Sequence, residues 1–64
     1  MKEPMQFQDR SSAESAMFRM RGWPERRVVC KHEPAAKLAD IEGNVFYVEV
    51  APGRYLLESG NVGT

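Results

Sequence analysis

The fold is decided by the stretch NVFYVEVAPGRYLLE, which spans residues 44–58. Its first half is rich in β-branched and aromatic side chains, which favour strands. Pro52 and Gly53 predict a turn, because proline presets one backbone angle and glycine permits a positive one. Residues 55–58 then return as a second strand. The stretch therefore predicts an antiparallel hairpin.

The hairpin has two faces, because side chains alternate along a strand. A tight turn would place Val50 opposite Tyr55 and give an inner face of Phe46, Val48, Val50, Tyr55 and Leu57. The outer face would then hold Val45, Tyr47, Glu49, Leu56 and Glu58. Its apolar members are either ordinary surface or a contact face for a second copy or another protein. A bulge in the hairpin would change this division.

Upstream of the hairpin, residues 12–21 are predicted to form a helix. An apolar stripe at helical spacing would dock it on the inner face of the sheet, and the stripe consists of Ala13, Ala16, Met17 and Met20. Possible N-caps are Asp9, Ser11 and Ser12. If Ser11 is the cap, Glu14 completes a capping box. Gly22 is expected to end the helix in the left-handed conformation.

The remaining elements are shorter. Residues 5–8 alternate apolar and polar, as in a short edge strand or a lead-in to the helix, and residues 26–31 contain a second strand around Val28. Residues 32–43 are less regular. We predict an α+β fold with two layers, in which a three- to four-stranded, mainly antiparallel sheet carries one helix in the order β-α-β-β-β. Residues 1–59 would form this single domain and residues 60–64 a flexible tail.

Composition limits how such a small domain is stabilised. A chain of 64 residues buries little of its surface, so disulfides, metals or partners usually help. One cysteine and one histidine exclude an internal disulfide and a four-ligand zinc site. The net charge is zero, yet residues 10–32 carry +4 and residues 33–64 carry −3. Such asymmetry indicates a partner, or attraction between the two halves.

The chemically suggestive segment is RMRGWPERR, residues 19–27. Arginine pairs with phosphate and an aromatic ring stacks on bases, so the segment fits nucleic acid. It equally fits an acidic protein partner, or a tryptophan that caps the core within a rim of solvated arginines. The candidate binding residues are Phe18, Arg19, Arg21, Trp23, Arg26 and Arg27. Phe18 either packs beneath residues 32–43 or is exposed beside Arg21.

An acidic surface is the competing candidate. It would comprise Glu42, Glu49 and Glu58 with Tyr47. If these carboxylates imitate a phosphate backbone, the partner would be a basic nucleic-acid-binding groove. We favour the arginine segment, because its aromatic neighbour adds apolar contact area.

Catalytic chemistry is not indicated. Cys30 and His32 share a face of their predicted strand, but no third group orients the histidine. We expect Cys30 to be a buried small hydrophobe and His32 to lie on the surface. The carboxylates show no pairing for acid–base work, and no glycine-rich phosphate loop is present. We therefore predict a non-enzyme with no catalytic residues, cofactor or metal.

The sequence contains no predicted targeting segment or membrane helix. Lys2, Glu3 and Pro4 follow Met1, so no apolar run follows a positive start. A single cysteine fits a reducing compartment. We expect the cytoplasm of a bacterium or of a virus-infected cell.

The span from Phe7 to Gly22, followed by Trp23, resembles a pattern of small prophage and plasmid proteins. The residues that carry it are Ser11, Ala13, Ala16 and Phe18. Short neutral chains of this kind resemble phage-encoded modulators, including anti-CRISPR proteins, which bind and block a host machine. The resemblance implies a small binding module that inhibits a host protein or nucleoprotein complex. The alternatives are a direct nucleic-acid binder and a homo-oligomer subunit, such as a dimer.

Overall fold

The computed structural model describes residues 3–63 of the chain. It contains one helix and four strands: α1 (Arg10–Arg19), β1 (Arg27–His32), β2 (Asn44–Ala51), β3 (Arg54–Leu56) and β4 (Val62–Gly63). The strands form one antiparallel sheet in the order β1-β2-β3-β4, and α1 packs on its inner face. The predicted α+β class is confirmed. The helix precedes all four strands, so the order is α-β-β-β-β.

The predicted strand at residues 5–8 is wrong. The N-terminal segment makes two isolated bridges instead, one between Pro4 and Leu57 and one between Phe7 and Phe46. Phe7 and Phe46 exchange two backbone hydrogen bonds of 2.9 Å each. The segment thus crosses from the end of β3 to β2 and follows neither strand far enough to build a ladder.

Helix α1 begins and ends two residues earlier than predicted. Asp9 is its N-cap, since the Asp9 carboxylate accepts a 2.7 Å hydrogen bond from the N–H of Ser12. Ser11 therefore lies inside the helix, and the proposed capping box does not form. The C-cap is Met20 in an extended conformation. Gly22 does have a positive φ of 84°, but it turns the chain after the helix has ended.

A bulge divides the hairpin of β2 and β3. Glu49 lies opposite Tyr55 and Ala51 opposite Arg54, with the register shifting between these two pairs. The predicted pairing of Val50 with Tyr55 is therefore wrong by one residue. Because side chains alternate, this shift places Leu56 on the inner face and Tyr55 on the outer face.

The core lies between α1 and the inner face. Its buried centre is Ala13, Val48, Val50 and Leu56. The partly buried residues around it include Met5, Phe7, Ala16, Met17, Met20, Trp23, Val28, Phe46 and Val62. The predicted docking stripe of α1 is confirmed, since all four of its residues belong to this cluster.

The outer face is covered by the chain itself. Residues 33–43, here called the covering loop, fold back over β2, where Val45 is 0% and Tyr47 is 7% exposed. The Tyr47 hydroxyl donates a hydrogen bond to the Glu33 carboxylate, and the N–H of Leu38 donates to the side chain of Gln6. Val45 and Tyr47 are therefore buried, so both hypotheses for them, ordinary surface and a contact face for a partner, are wrong.

The end of the described chain is a strand rather than a loose tail. Gly60 has a φ of 89° and reverses the chain, and the N–H of Leu57 donates to the carbonyl of Asn61. Val62 then lies opposite Leu56 in the sheet and packs on the core. Thr64 lies outside the described residues. No helix within residues 3–63 is long and apolar enough to cross a membrane.

Candidate functional site

Arg26 has an internal role at the corner between α1 and β1. Its Nε donates a 2.8 Å hydrogen bond to the carbonyl of Met17, and its Nη1 donates a 3.0 Å bond to the carbonyl of Trp23. Both acceptors are partly buried backbone groups. Arg26 therefore holds the segment that follows α1 against the end of the helix. These two hydrogen bonds occupy the Nε and Nη1 donors of its guanidinium.

Arg27 lies on the outer face of the sheet, opposite Glu49. Its Nε donates a 2.8 Å hydrogen bond to Glu49 Oε1, and Nη2 is 2.7 Å from the same oxygen. This ion pair lowers the pKa of Glu49. The four arginines predicted to act together are thus divided, with two bound internally.

Arg19 and Arg21 remain together with Trp23 on the inner side, where they line an open groove of about 880 Å³. The groove also contains Met5, Ala16, Met20, Leu56, Gly60, Asn61 and Val62. We call this surface the arginine groove. Most of its lining side chains are apolar, and no acidic residue among residues 3–63 lines it. Both arginines are exposed.

Trp23 belongs both to the core and to the lining of the arginine groove. It is half-buried and packs against the core cluster, as the structural interpretation of the sequence predicted. It also lines the arginine groove. Arg26 holds the backbone of Trp23, and the indole itself is held by its packing against the core cluster.

Phe18 lies outside this site. Its side chain is 69% exposed, and it does not line the arginine groove. The hypothesis that it packs beneath residues 32–43 is wrong, because α1 lies on the inner face and the covering loop on the outer face. The exposure of Phe18 that the other hypothesis predicted is confirmed, and its pairing with Arg21 stays a prediction.

The alternative acidic surface is not continuous. Glu49 is 9% exposed and paired with Arg27, and Tyr47 is buried beneath the covering loop. Glu42 and Glu58 are exposed, but they belong to different segments. Of the four predicted residues, only these two present carboxylates to solvent.

Tyr47 gives the domain a pH-dependent stability. Burial, reinforced by the hydrogen bond to Glu33, raises the pKa of Tyr47 from 10.0 to about 12. Above pH 10 the unfolded chain loses a proton that the folded chain keeps, so stability should fall as the pH rises from 10 to about 12. Urea unfolding across this range should show a smaller fall for Tyr47→Phe. Identical profiles for the two proteins would contradict the role of Tyr47.

Cys30 is exposed, contrary to our prediction. It lies on β1 at the edge of the sheet, and the core cluster reaches this strand at Val28 only. His32 is exposed as predicted. Within residues 3–63 no hydrogen bond joins the two side chains, and no three His, Cys, Asp or Glu residues are placed to hold a metal ion.

The exposure of Cys30 changes what its substitution should do. Cys30→Ser and Cys30→Ala should each alter the free energy of unfolding by less than ~0.5 kcal/mol, as is usual for surface positions. Chemical denaturation under reducing conditions measures this. A loss above ~1 kcal/mol for serine alone would mean that the thiol is buried.

Sequence reasoning found Arg19, Arg21 and Trp23 but missed the opposite wall of the groove. Met5, Leu56 and Val62 are distant in sequence and meet only through the pairing of β3 with β4 and the N-terminal segment. The apolar Val62 was the available signal that residues 60–63 are not a simple tail. No protein-family model, curated protein or solved structure was found to match this chain.

Proposed function

We propose that the protein is a small non-enzymatic binding module that captures an acidic segment of a larger protein in the arginine groove. The observation that carries this proposal is the position of two exposed arginines and a half-buried tryptophan around an apolar floor. Arginine and tryptophan are the residue types most enriched at interface hot spots. Acting by occupancy, the module would block or modulate a host protein or nucleoprotein complex in the cytoplasm, as its resemblance to phage-encoded modulators implies.

The corner is preorganised for binding. The two hydrogen bonds from Arg26 fix the backbone at Met17 and Trp23. Trp23 therefore loses little conformational freedom when a ligand binds, which favours affinity. The apolar floor contacts an aliphatic or aromatic side chain, while the guanidinium groups donate hydrogen bonds to neighbouring carboxylates in bidentate geometry.

Direct binding of nucleic acid is the second candidate, because Trp23 could stack on a base. The division of the arginines weakens it. Arg26 and Arg27 are engaged with Met17, Trp23 and Glu49, so two arginines are left for phosphates at the groove. Two phosphate contacts limit the slope of log affinity against log salt to about −2, which is small for a nucleic-acid binder.

The test compares two double variants of equal charge change. Arg19→Glu/Arg21→Glu reverses the charge at the margin of the groove. Lys37→Glu/Arg54→Glu reverses the charge of two exposed side chains outside the groove. Immobilised wild type and control should retain a common protein from extracts of the cells that encode the chain, and the groove variant should lose it. With that protein purified, calorimetry should show affinity at least ~30-fold lower for the groove variant.

The opposing outcomes are equally definite. Equal binding by the groove variant and the control would reject the arginine groove as the site. A gel shift of single-stranded or duplex DNA and RNA that weakens steeply with salt would favour the nucleic-acid function instead. Circular dichroism of each variant establishes that it is folded before binding is compared.

A further inference from the structure

The covering loop presents an isoleucine to solvent at its tip. Ile41 is 102% exposed, and it is flanked by the carboxylates of Asp40 and Glu42. A fully exposed β-branched side chain gains nothing from the core. It provides an apolar anchor of the kind that binds in a partner's pocket.

Asp40 makes this tip rigid. Its Oδ1 accepts hydrogen bonds of 2.8 Å from the N–H of Glu42 and 2.9 Å from the N–H of Asn44. Its backbone N–H donates to the carbonyl of Asn44, and its carbonyl accepts from the N–H of Gly43. Ile41 is therefore held outward in a defined turn, which lowers the entropy lost on binding.

The arginine groove has the complementary chemistry. It combines an apolar floor with Arg19 and Arg21 at its margin, whereas the tip combines one apolar side chain with two carboxylates. Opposite charges placed around matching apolar groups favour association and fix its orientation. The net charges of +4 for residues 10–32 and −3 for residues 33–64 act in the same direction.

We propose that the arginine groove binds the Ile41 tip of a second copy of this chain. Ile41 enters the apolar floor, and Asp40 and Glu42 lie beside Arg19 and Arg21. This inference rests on the groove of the proposed function and adds a form of regulation, since a copy bound there excludes the acidic partner.

The tip does not reach the groove of its own chain. Trp23 precedes the start of β1 and the covering loop follows its end, so the six residues of β1 separate them by roughly 20 Å. They also lie on opposite faces of the sheet. Because tip and groove are different surfaces, the contact is head-to-tail, and it closes into a ring or extends as a chain of copies.

The experiment uses two variants that each destroy one half of the contact. Ile41→Glu removes the anchor and keeps the groove, whereas Arg19→Glu/Arg21→Glu removes the groove and keeps the anchor. Sedimentation under reducing conditions should show the wild-type mass rising above 7.3 kDa with concentration, while each variant remains monomeric. An equimolar mixture of the two should form a heterodimer that grows no further, because one intact tip meets one intact groove.

Phe18→Glu is the matched control, since Phe18 is an exposed apolar residue outside both surfaces. It should associate like the wild type. A wild type that stays monomeric, a self-associating Ile41→Glu variant or a mixture that stays monomeric would each overturn the proposal. Ile41→Glu should still bind the protein partner, so a failure of self-association would leave the proposed function intact. Conversely, self-association through the groove without capture of a protein partner would reject the proposed function alone.

Discussion

Replacing Met17 with aspartate should unfold the domain. Met17 lies in the stripe of α1 that packs against the core cluster. Truncating a buried methionine costs ~2–5 kcal/mol, with the partly buried Met17 at the lower end, and a carboxylate in the same place adds the free energy of removing a charge from water. A core of this size supplies no more than ~3–5 kcal/mol in total, so the loss exceeds what the fold contains.

The neighbouring residue provides the control. Phe18→Asp places the same carboxylate one position further along the helix, where the side chain is 69% exposed. Its free energy of unfolding should change by less than ~0.5 kcal/mol. Circular dichroism and thermal melting separate the two variants. A cooperative melt for Met17→Asp near that of Phe18→Asp would contradict the way α1 docks on the sheet.

Gly43→Ala should be the most damaging substitution of a glycine among residues 3–63. Gly43 has a φ of 84°, which costs an L-residue ~1–2 kcal/mol. An added Cβ would also lie 2.9 Å from Cγ of Pro34 and 3.1 Å from Cε1 of His32. The alanine variant must therefore hold a strained backbone angle at position 43, and the side chains of Pro34 and His32 must also move away from the new methyl group. We expect a further loss of ~1–3 kcal/mol from this overlap.

Gly53→Ala separates the two effects. Gly53 has a similar φ of 74°, but no atom of residues 3–63 lies within 4 Å of the added Cβ. The free energy of unfolding of Gly53→Ala should therefore fall only by the ~1–2 kcal/mol that the positive φ costs an L-residue. Urea unfolding measures both proteins, and equal midpoints would show that the covering loop does not pack against Gly43 as described.

The elements were predictable where one local preference dominated. The β-branched and aromatic residues of β2 and the stripe of α1 gave the right element type in the right order. Helix α1 was misplaced by two residues because Asp9, Ser11 and Ser12 are all acceptable caps, and only the folded chain shows which one bonds. Local pattern located β1, β2 and β3 and the α+β class, whereas β4 and the bridges of the N-terminal segment depend on contacts between distant parts of the chain.

The faces of the hairpin were not predictable in the same way. A single bulge between Glu49 and Ala51 reassigns Tyr55 and Leu56, and a tight Pro-Gly turn gives no local signal of it. The covering loop is a second example. Its bonds to Gln6 and Tyr47 join residues far apart in the chain, so the burial of the outer face could not be inferred from β2 alone.

The candidate site shows the same limit. Clustering of arginines in sequence indicated the corner that holds the proposed site, yet the side chains of Arg26 and Arg27 turn to different acceptors. Alternation along β1 carries Arg27 to the outer face with its partner Glu49. The helix end instead keeps Arg19 and Arg21 beside Trp23, and this difference could be found only once the strand register was known.

The pairing of the N-terminal segment has a consequence for synthesis on the ribosome. The N–H of Met5 donates to the carbonyl of Leu56, and the N–H of Glu58 donates to the carbonyl of Glu3. Residues 3–7 are translated before residues 46–58. Their backbone hydrogen bonds therefore cannot form until residues 46–58 have emerged. At ~5–20 residues per second this delay lasts a few seconds. The nascent chain therefore completes its core after translation of the hairpin, and chaperones have that interval in which to bind the exposed Met5 and Phe7.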